Sequence, residues 1–262
     1  MPPAILYKYV ALTSPYVEAL LTTPTLYFAR PRDFNDPFDC RAHYTFESGS
    51  KEDLKAWYRT AISALVNHDG RFTGRDDRAL VEEYLKQFPR PDDALKEAAL
   101  RVLQADIQTK LVGVLCLTAT GTDPVMYYHY SGNHSGLCLR FQPRGDSFLW
   151  HAEPVLYGPD VPEVEFFDDS NLPGQFEMIF LRKYSGWAYE NEWRVIDFIN
   201  GPGSRPYPAE LLTGVIFGMN TADTDKAQVT GWLKKRGHHV ELLQAIPQDR
   251  KYQMHLKSVA VL

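Results

Sequence analysis

Glu190 and Glu192 straddle a single asparagine in the stretch E-N-E-W-R, Glu190 to Arg194. Paired carboxylates beside an arginine suit chemistry in which one acid is held ionised while the other bonds a substrate hydroxyl. Strand alternation places Glu190, Glu192 and Arg194 on one face, with Trp193 and Val195 on the other. If the apolar pair faces the core, the acids line the opposite surface or a cleft. On an open surface, Glu192 and Arg194 form only a salt bridge of ~0–1 kcal/mol.

Three further stretches concentrate reactive residue types. Tyr7-Lys8-Tyr9 lies on a strand, with the tyrosines on one face and Lys8 pointing the opposite way, either to a ligand or to solvent. F-N-D-P-F-D, Phe34 to Asp39, joins turn residues to two aromatics. Asn35-Asp36-Pro37 reads as a rigid turn pinned by Phe34 and Phe38, and a rigid turn is also a good platform for binding groups. M-Y-Y-H-Y-S-G-N-H carries Tyr127, His129, Tyr130 and His134 beside a glycine-containing turn, an arrangement suited to stacking on a flat heteroaromatic ligand or to core packing. The two histidines, five residues apart, do not share a helix face as a zinc-binding i, i+4 pair does, so no metal site is expected.

Other chemistries lack their usual signatures. The chain has no Gly-x-Gly-x-x-Gly, P-loop, G-x-S-x-G elbow or C-x-x-C, and its three cysteines favour neither a disulfide framework nor zinc. A net charge of −5 over 262 residues gives no general attraction to nucleic acid. No apolar run approaches a membrane span, and the start M-P-P-A-I-L-Y-K-Y-V lacks the features of a signal peptide. These properties predict a soluble, cytoplasmic protein of bacterial type.

The elements that must position these residues read as α+β. A-I-L-Y-K-Y-V and T-L-Y-F-A-R-P are predicted strands around a helix over S-P-Y-V-E-A-L-L-T, capped by Ser14 with Pro15 at its first position. Residues 50–113 show helical spacing and are expected as a three-helix insertion in a single 1–262 domain. Beyond it come short strands: V-L-C-L-T-A, G-L-C-L-R-F, A-E-P-V-L-Y-G, E-W-R-V-I-D-F-I, G-V-I-F-G-M, H-V-E-L-L-Q-A-I and Y-Q-M-H-L-K-S-V-A-V. Helices are predicted over N-L-P-G-Q-F-E-M-I-F-L-R-K-Y-S-G and, capped, over T-A-D-T-D-K-A-Q-V-T-G-W-L-K-K-R-G.

The stretches L-Y-K-Y, L-Y-F-A-R-P-R-D-F-N-D-P-F-D-C, M-Y-Y-H-Y-S-G-N-H-S-G-L-C-L-R-F and K-Y-S-G-W-A-Y-E-N-E-W-R-V, with the late L-L-T-G-V-I-F-G-M, occur in the order of the bacterial family called domain of unknown function 2971. The chain resembles that family over nearly its whole length, with Tyr127 where the family commonly has tryptophan. A second resemblance, in layout, is to ADP-ribosyltransferases: a polar residue on the first strand, an aromatic middle segment and a glutamate on a later strand. It implies a mixed, mainly antiparallel sheet and NAD as substrate, with a protein or nucleic acid as acceptor or NAD hydrolysed. It also implies Glu192 as the catalytic carboxylate, assisted by Glu190, and Tyr130 or Tyr127 stacked on nicotinamide. Lys8 stands where that layout has His or Arg. Asn35 and Asp36 would shape the pocket, and Tyr9, His129, His134 and Arg194 complete the expected binding set. Two other readings use the same residues: a non-catalytic nucleotide-binding module, and a metal-dependent hydrolase or nuclease built on Asp36, Asp39, His129 and Glu192.

Overall fold

The computed structural model describes residues 1–45, 47–50, 52, 53, 56, 104 and 107–262. Most of the expected helical insertion over 50–113 therefore lies outside the described residues.

Among the described residues ten strands form where the sequence predicts them, and four others, His43–Thr45, Glu163–Glu165, Arg182–Tyr184 and Gly203–Pro206, form where it predicts none. In chain order the strands are β1 (Leu6–Val10), β2 (Thr25–Phe28), β3 (His43–Thr45), β4 (Gly113–Thr118) and β5 (Leu137–Phe141). There follow β6 (Glu153–Pro154), β7 (Leu156–Gly158), β8 (Glu163–Glu165), β9 (Arg182–Tyr184) and β10 (Glu192–Asp197). The last four are β11 (Gly203–Pro206), β12 (Leu212–Phe217), β13 (Glu241–Pro247) and β14 (Met254–Val261). Eight of them make one sheet, ordered β14-β13-β12-β5-β1-β4-β10-β6, in which only β12 and β13 run parallel. The architecture is a mixed α and β fold on a mainly antiparallel sheet.

One face of this sheet carries the largest apolar cluster. Leu6, Leu115, Leu117, Leu139, Val195 and Val215 pack there against Leu20 and Leu21 of the helix Val17–Thr22 and Val229 and Leu233 of the helix Asp223–Arg236. Trp193 and Val195 belong to it, so the alternation of β10 turns Glu192 and Arg194 to the opposite side. Both glutamate-arginine residues are buried there, which removes the surface salt-bridge reading.

A fork in the sheet creates the space for a site. β1 follows β5 along five residue pairs but meets β4 only at Tyr7 and Thr118. Past that pair the strands diverge, and the end of β2 enters, with Ala29 bridging to Val114. Lys8 spans the gap and donates to the carbonyl of Cys116 at 3.1 Å, supplying a partner that strand pairing leaves missing.

Three predicted helix boundaries change. The first helix begins at Val17 after Tyr16, without a side-chain cap. Ser14 instead closes the preceding turn, its amide bonding Ala11 and its hydroxyl accepting from the Tyr16 amide. The helix predicted to run through K-Y-S-G stops at Phe180, and Arg182–Tyr184 becomes β9, paired in parallel with β7. The helix Asp223–Arg236 has no side-chain N-cap, because its N-cap residue is Ala222, and the Thr221 hydroxyl beside it donates to the Gly136 carbonyl. Gly237, at φ 73°, ends that helix in the left-handed conformation expected of a C-terminal glycine.

Candidate functional site

Each functional side chain is delivered by a short, locally determined element. The helix Pro124–Tyr130 starts at Asp123, whose carboxylate accepts from the amides of Val125 and Met126, with Pro124 at the first position. Its inner face sends Met126 and Tyr127 into the core, and Tyr130, one turn further, comes to the mouth of the fork. Asn191, in the left-handed region at φ 44°, joins the 3-10 turn Ser185–Glu190 to β10. Glu190 therefore lies off the strand, a correction to its predicted place in the β10 alternation. The Thr118 hydroxyl bonds the Glu190 carbonyl and fixes that corner. Residues Pro31–Asp33 form a 3-10 turn that leads into Phe34 and Asn35.

These elements enclose a cavity of about 290 Å³ bordered by Lys8, Tyr9, Asn35, Tyr130, Glu190 and Glu192, among others. Because β1 and β4 diverge, Tyr7 and Tyr9 border it together with Lys8, which the alternation of an evenly paired strand would have sent away from them. A continuous polar chain runs along one wall. Asn35 Nδ2 donates to the Tyr130 hydroxyl at 3.0 Å, and that hydroxyl donates to Glu190 Oε1 at 2.5 Å. Lys183 Nζ donates to Glu190 Oε2 at 2.5 Å and to Glu192 Oε2 at 3.0 Å. Arg194 closes the chain with Nε on Glu192 Oε1 at 2.8 Å and a second bond to Glu192 Oε2 at 2.9 Å. On its other edge the same guanidinium grips Asp39.

The environments of the two glutamates push their acidities apart. Burial raises Glu190 above the ordinary carboxylate range, and hydrogen bonds and charge from Lys183 and Tyr130 reverse this only in part. Burial acts on Glu192 too, but Arg194 and Lys183 outweigh it and hold that carboxyl at about 2. A pair separated in this way can keep one member charged while the other exchanges a proton. Burial alone would lower Lys183, yet Glu192, Glu190 and Asp39 hold it above its usual range. Burial lowers Lys8, whose only bond is to a carbonyl and which has no carboxylate partner among the described residues.

The structure brings Lys8, Tyr9, Asn35, Tyr130, Glu190 and Glu192 together and leaves other expected residues out. Tyr127 is fully buried, edge-on to Tyr9 at 4.8 Å between ring centroids, with its hydroxyl on the Gly121 carbonyl. It is core and offers no face to a ligand, whereas Tyr130 borders the cavity. Asp36 turns its carboxylate to the amide of Phe38 at 2.9 Å, so it is used by its own turn and does not border the cavity. His129 is exposed on the outer side of its helix. His134 stacks on Tyr127 away from the cavity. Asp36 and His129 therefore do not join Asp39 and Glu192 there. Arg194, completely buried, lies beneath Glu192 and acts through it. Phe34 packs with the core and lies against the Arg194 guanidinium, whereas Phe38 is 69% exposed and anchors nothing.

Lys183 is the member of the site that sequence reasoning missed, because it sits where a helix was predicted. The signal that could have found it is its place seven residues before Glu190 in the same K-Y-S-G-W-A-Y-E-N-E-W-R-V stretch. No family model, curated protein or solved structure matches the chain.

Proposed function

We propose that the chain is an NAD-using enzyme that breaks the nicotinamide N-glycosidic bond and passes ADP-ribose to a protein or nucleic-acid acceptor, or to water. The proposal includes an ADP-ribosyltransferase-like plan for the fold, membership of the bacterial family its motifs resemble, and a cytoplasmic role as toxin, effector or defence protein. The observation that carries it is the convergence of Asn35, Tyr130, Glu190 and Glu192 on one cavity, with the two carboxyl groups driven to opposite acidities.

The chemistry follows from that end of the cavity. When all are ionised, the three carboxylates of Asp39, Glu190 and Glu192 exceed their bonded cations Lys183 and Arg194 by one charge, and Lys8, on which Glu192 acts through space, borders the same cavity. Glycosidic cleavage develops oxocarbenium character, and a fixed carboxylate stabilises that charge. In this scheme Glu192 supplies the field and the ring of Tyr130 stacks on nicotinamide. The C–N bond breaks with its electron pair leaving on nicotinamide. The acceptor atom bonds to the ribose carbon, and its proton passes to Glu190.

Nicotinamide release from NAD tests the reading, with Glu190→Gln and Glu192→Gln each expected to lose at least about a hundredfold in rate. Equal release in wild type and both variants would remove the glutamates from the mechanism, and no release with any acceptor would sink the enzyme.

A second reading, a nucleotide-binding module without turnover, is favoured by one detail: both oxygens of Glu192 are already bonded by Arg194 and Lys183. It predicts saturable nucleotide binding that survives Glu192→Gln.

A further inference from the structure

A second cavity of about 260 Å³ adjoins the first and shares Lys8, Tyr9, Tyr27, Ala29 and Tyr130 with it. Ligand sites for small molecules run to ~300–1,000 Å³, so a dinucleotide-sized ligand needs more room than either cavity alone gives. The boundary between them is marked by Lys8, a recessed ammonium without a carboxylate partner among the described residues. Glu192 acts on this ammonium through space without bonding it, and an anion bound beside an incompletely compensated cation relieves its desolvation cost. Beyond Lys8, the second cavity is walled by Tyr16 and Tyr27, whose rings stack at 4.9 Å and 8°. Tyr16 is half exposed, and the Tyr27 hydroxyl bonds nothing among the described residues. Ser204, exposed on β11, stands at the same cavity.

We propose that the two cavities are one bipartite cleft for a nucleoside phosphate, with the phosphate against Lys8 and a flat heteroaromatic base on the Tyr27–Tyr16 stack. The inference rests on the proposed function for what happens at the Glu190 end, but the base and phosphate subsites stand on their own geometry. Stacking suits any base face, and the cationic junction makes binding depend on a charged phosphate.

Adenosine monophosphate, titrated calorimetrically, is the probe. It should saturate one site and bind more weakly as salt rises. Tyr27→Phe should keep the affinity, Tyr27→Ala should lose about tenfold, and Lys8→Met should weaken binding and flatten its salt dependence. If Tyr27→Ala does not fold, Ser204→Trp, at an exposed position, obstructs the second cavity and should abolish binding. No saturable binding, or binding unaffected by Tyr27→Ala or by Ser204→Trp, overturns the proposal. Nicotinamide release followed in parallel separates the two ideas. Tyr27-dependent binding without release sinks only the enzyme, and release without such binding sinks only the bipartite cleft.

Discussion

Arg194 holds Asp39 by two parallel hydrogen bonds, 2.8 Å to Oδ1 and 2.6 Å to Oδ2, and so ties the end of F-N-D-P-F-D to E-N-E-W-R across 155 residues. The guanidinium that grips Asp39 also grips Glu192. One buried side chain thus fixes both the turn that carries Asn35 and the strand that carries the charged glutamate.

Breaking that pair should unfold the site. Asp39→Ala leaves Arg194 buried with one carboxylate fewer, and loss of one partner of a buried pair costs about 3–5 kcal/mol. Urea denaturation should read that loss, together with a strong coupling energy in a cycle with Arg194→Met. A cost under about 1 kcal/mol would mean that the pair is solvated.

The two glutamates should pull stability in opposite directions with pH. Glu192 is depressed on folding, so its contribution is complete above the unfolded value near 4.5 and is lost as pH falls toward about 2. Glu190 is raised, so its contribution is complete below the same unfolded value and declines as pH rises through its folded value. Unfolding free energy of the wild type should therefore drop below pH 4.5, and Glu192→Gln should flatten that limb by up to about 1.4 kcal/mol per pH unit. An unchanged slope in the variant would assign the acid limb to other carboxylates.

Tyr130→Phe keeps the ring and removes the hydroxyl that links Asn35 to Glu190. We expect nucleotide binding within about twofold of wild type, with a lower turnover rate and a shifted acidic limb of the pH–rate profile. Tyr130→Ala should weaken binding as well. Identical profiles for all three proteins would take Tyr130 out of the site.

Phe34 and Phe38 flank the same turn but should differ in what they support. Phe38→Ser, at an exposed position, should change stability by no more than about 0.5 kcal/mol, whereas Phe34→Ala should cost at least about 1 kcal/mol. Matched thermal melts of the two variants check this, and equal costs would contradict the packing of Phe34 against Arg194.

The Asn35-Asp36-Pro37 turn was legible because its geometry is local: the Asp36 carboxylate satisfies an amide two residues on. The β10 alternation was legible for the same reason, since Trp193 and Val195 specify which face is apolar. Local pattern could not distinguish Tyr127 from Tyr130. Both lie on one short helix, and which one meets the core depends on Tyr9 and Cys138 from strands far along the chain. Nor could it place Lys183, where the helical reading ran on into K-Y-S-G and parallel pairing with β7 made a strand instead.

The sequence by itself determined the strands of the eight-stranded sheet, the rigid turn and the set of residue types able to do chemistry, because these follow from backbone preferences and period. Tertiary structure decided that β1 parts from β4 after a single pair, which opens the cleft and brings Lys8 to it. It also decided which carboxyl is held ionised, because acidity depends on burial and on charges that only the fold brings within reach.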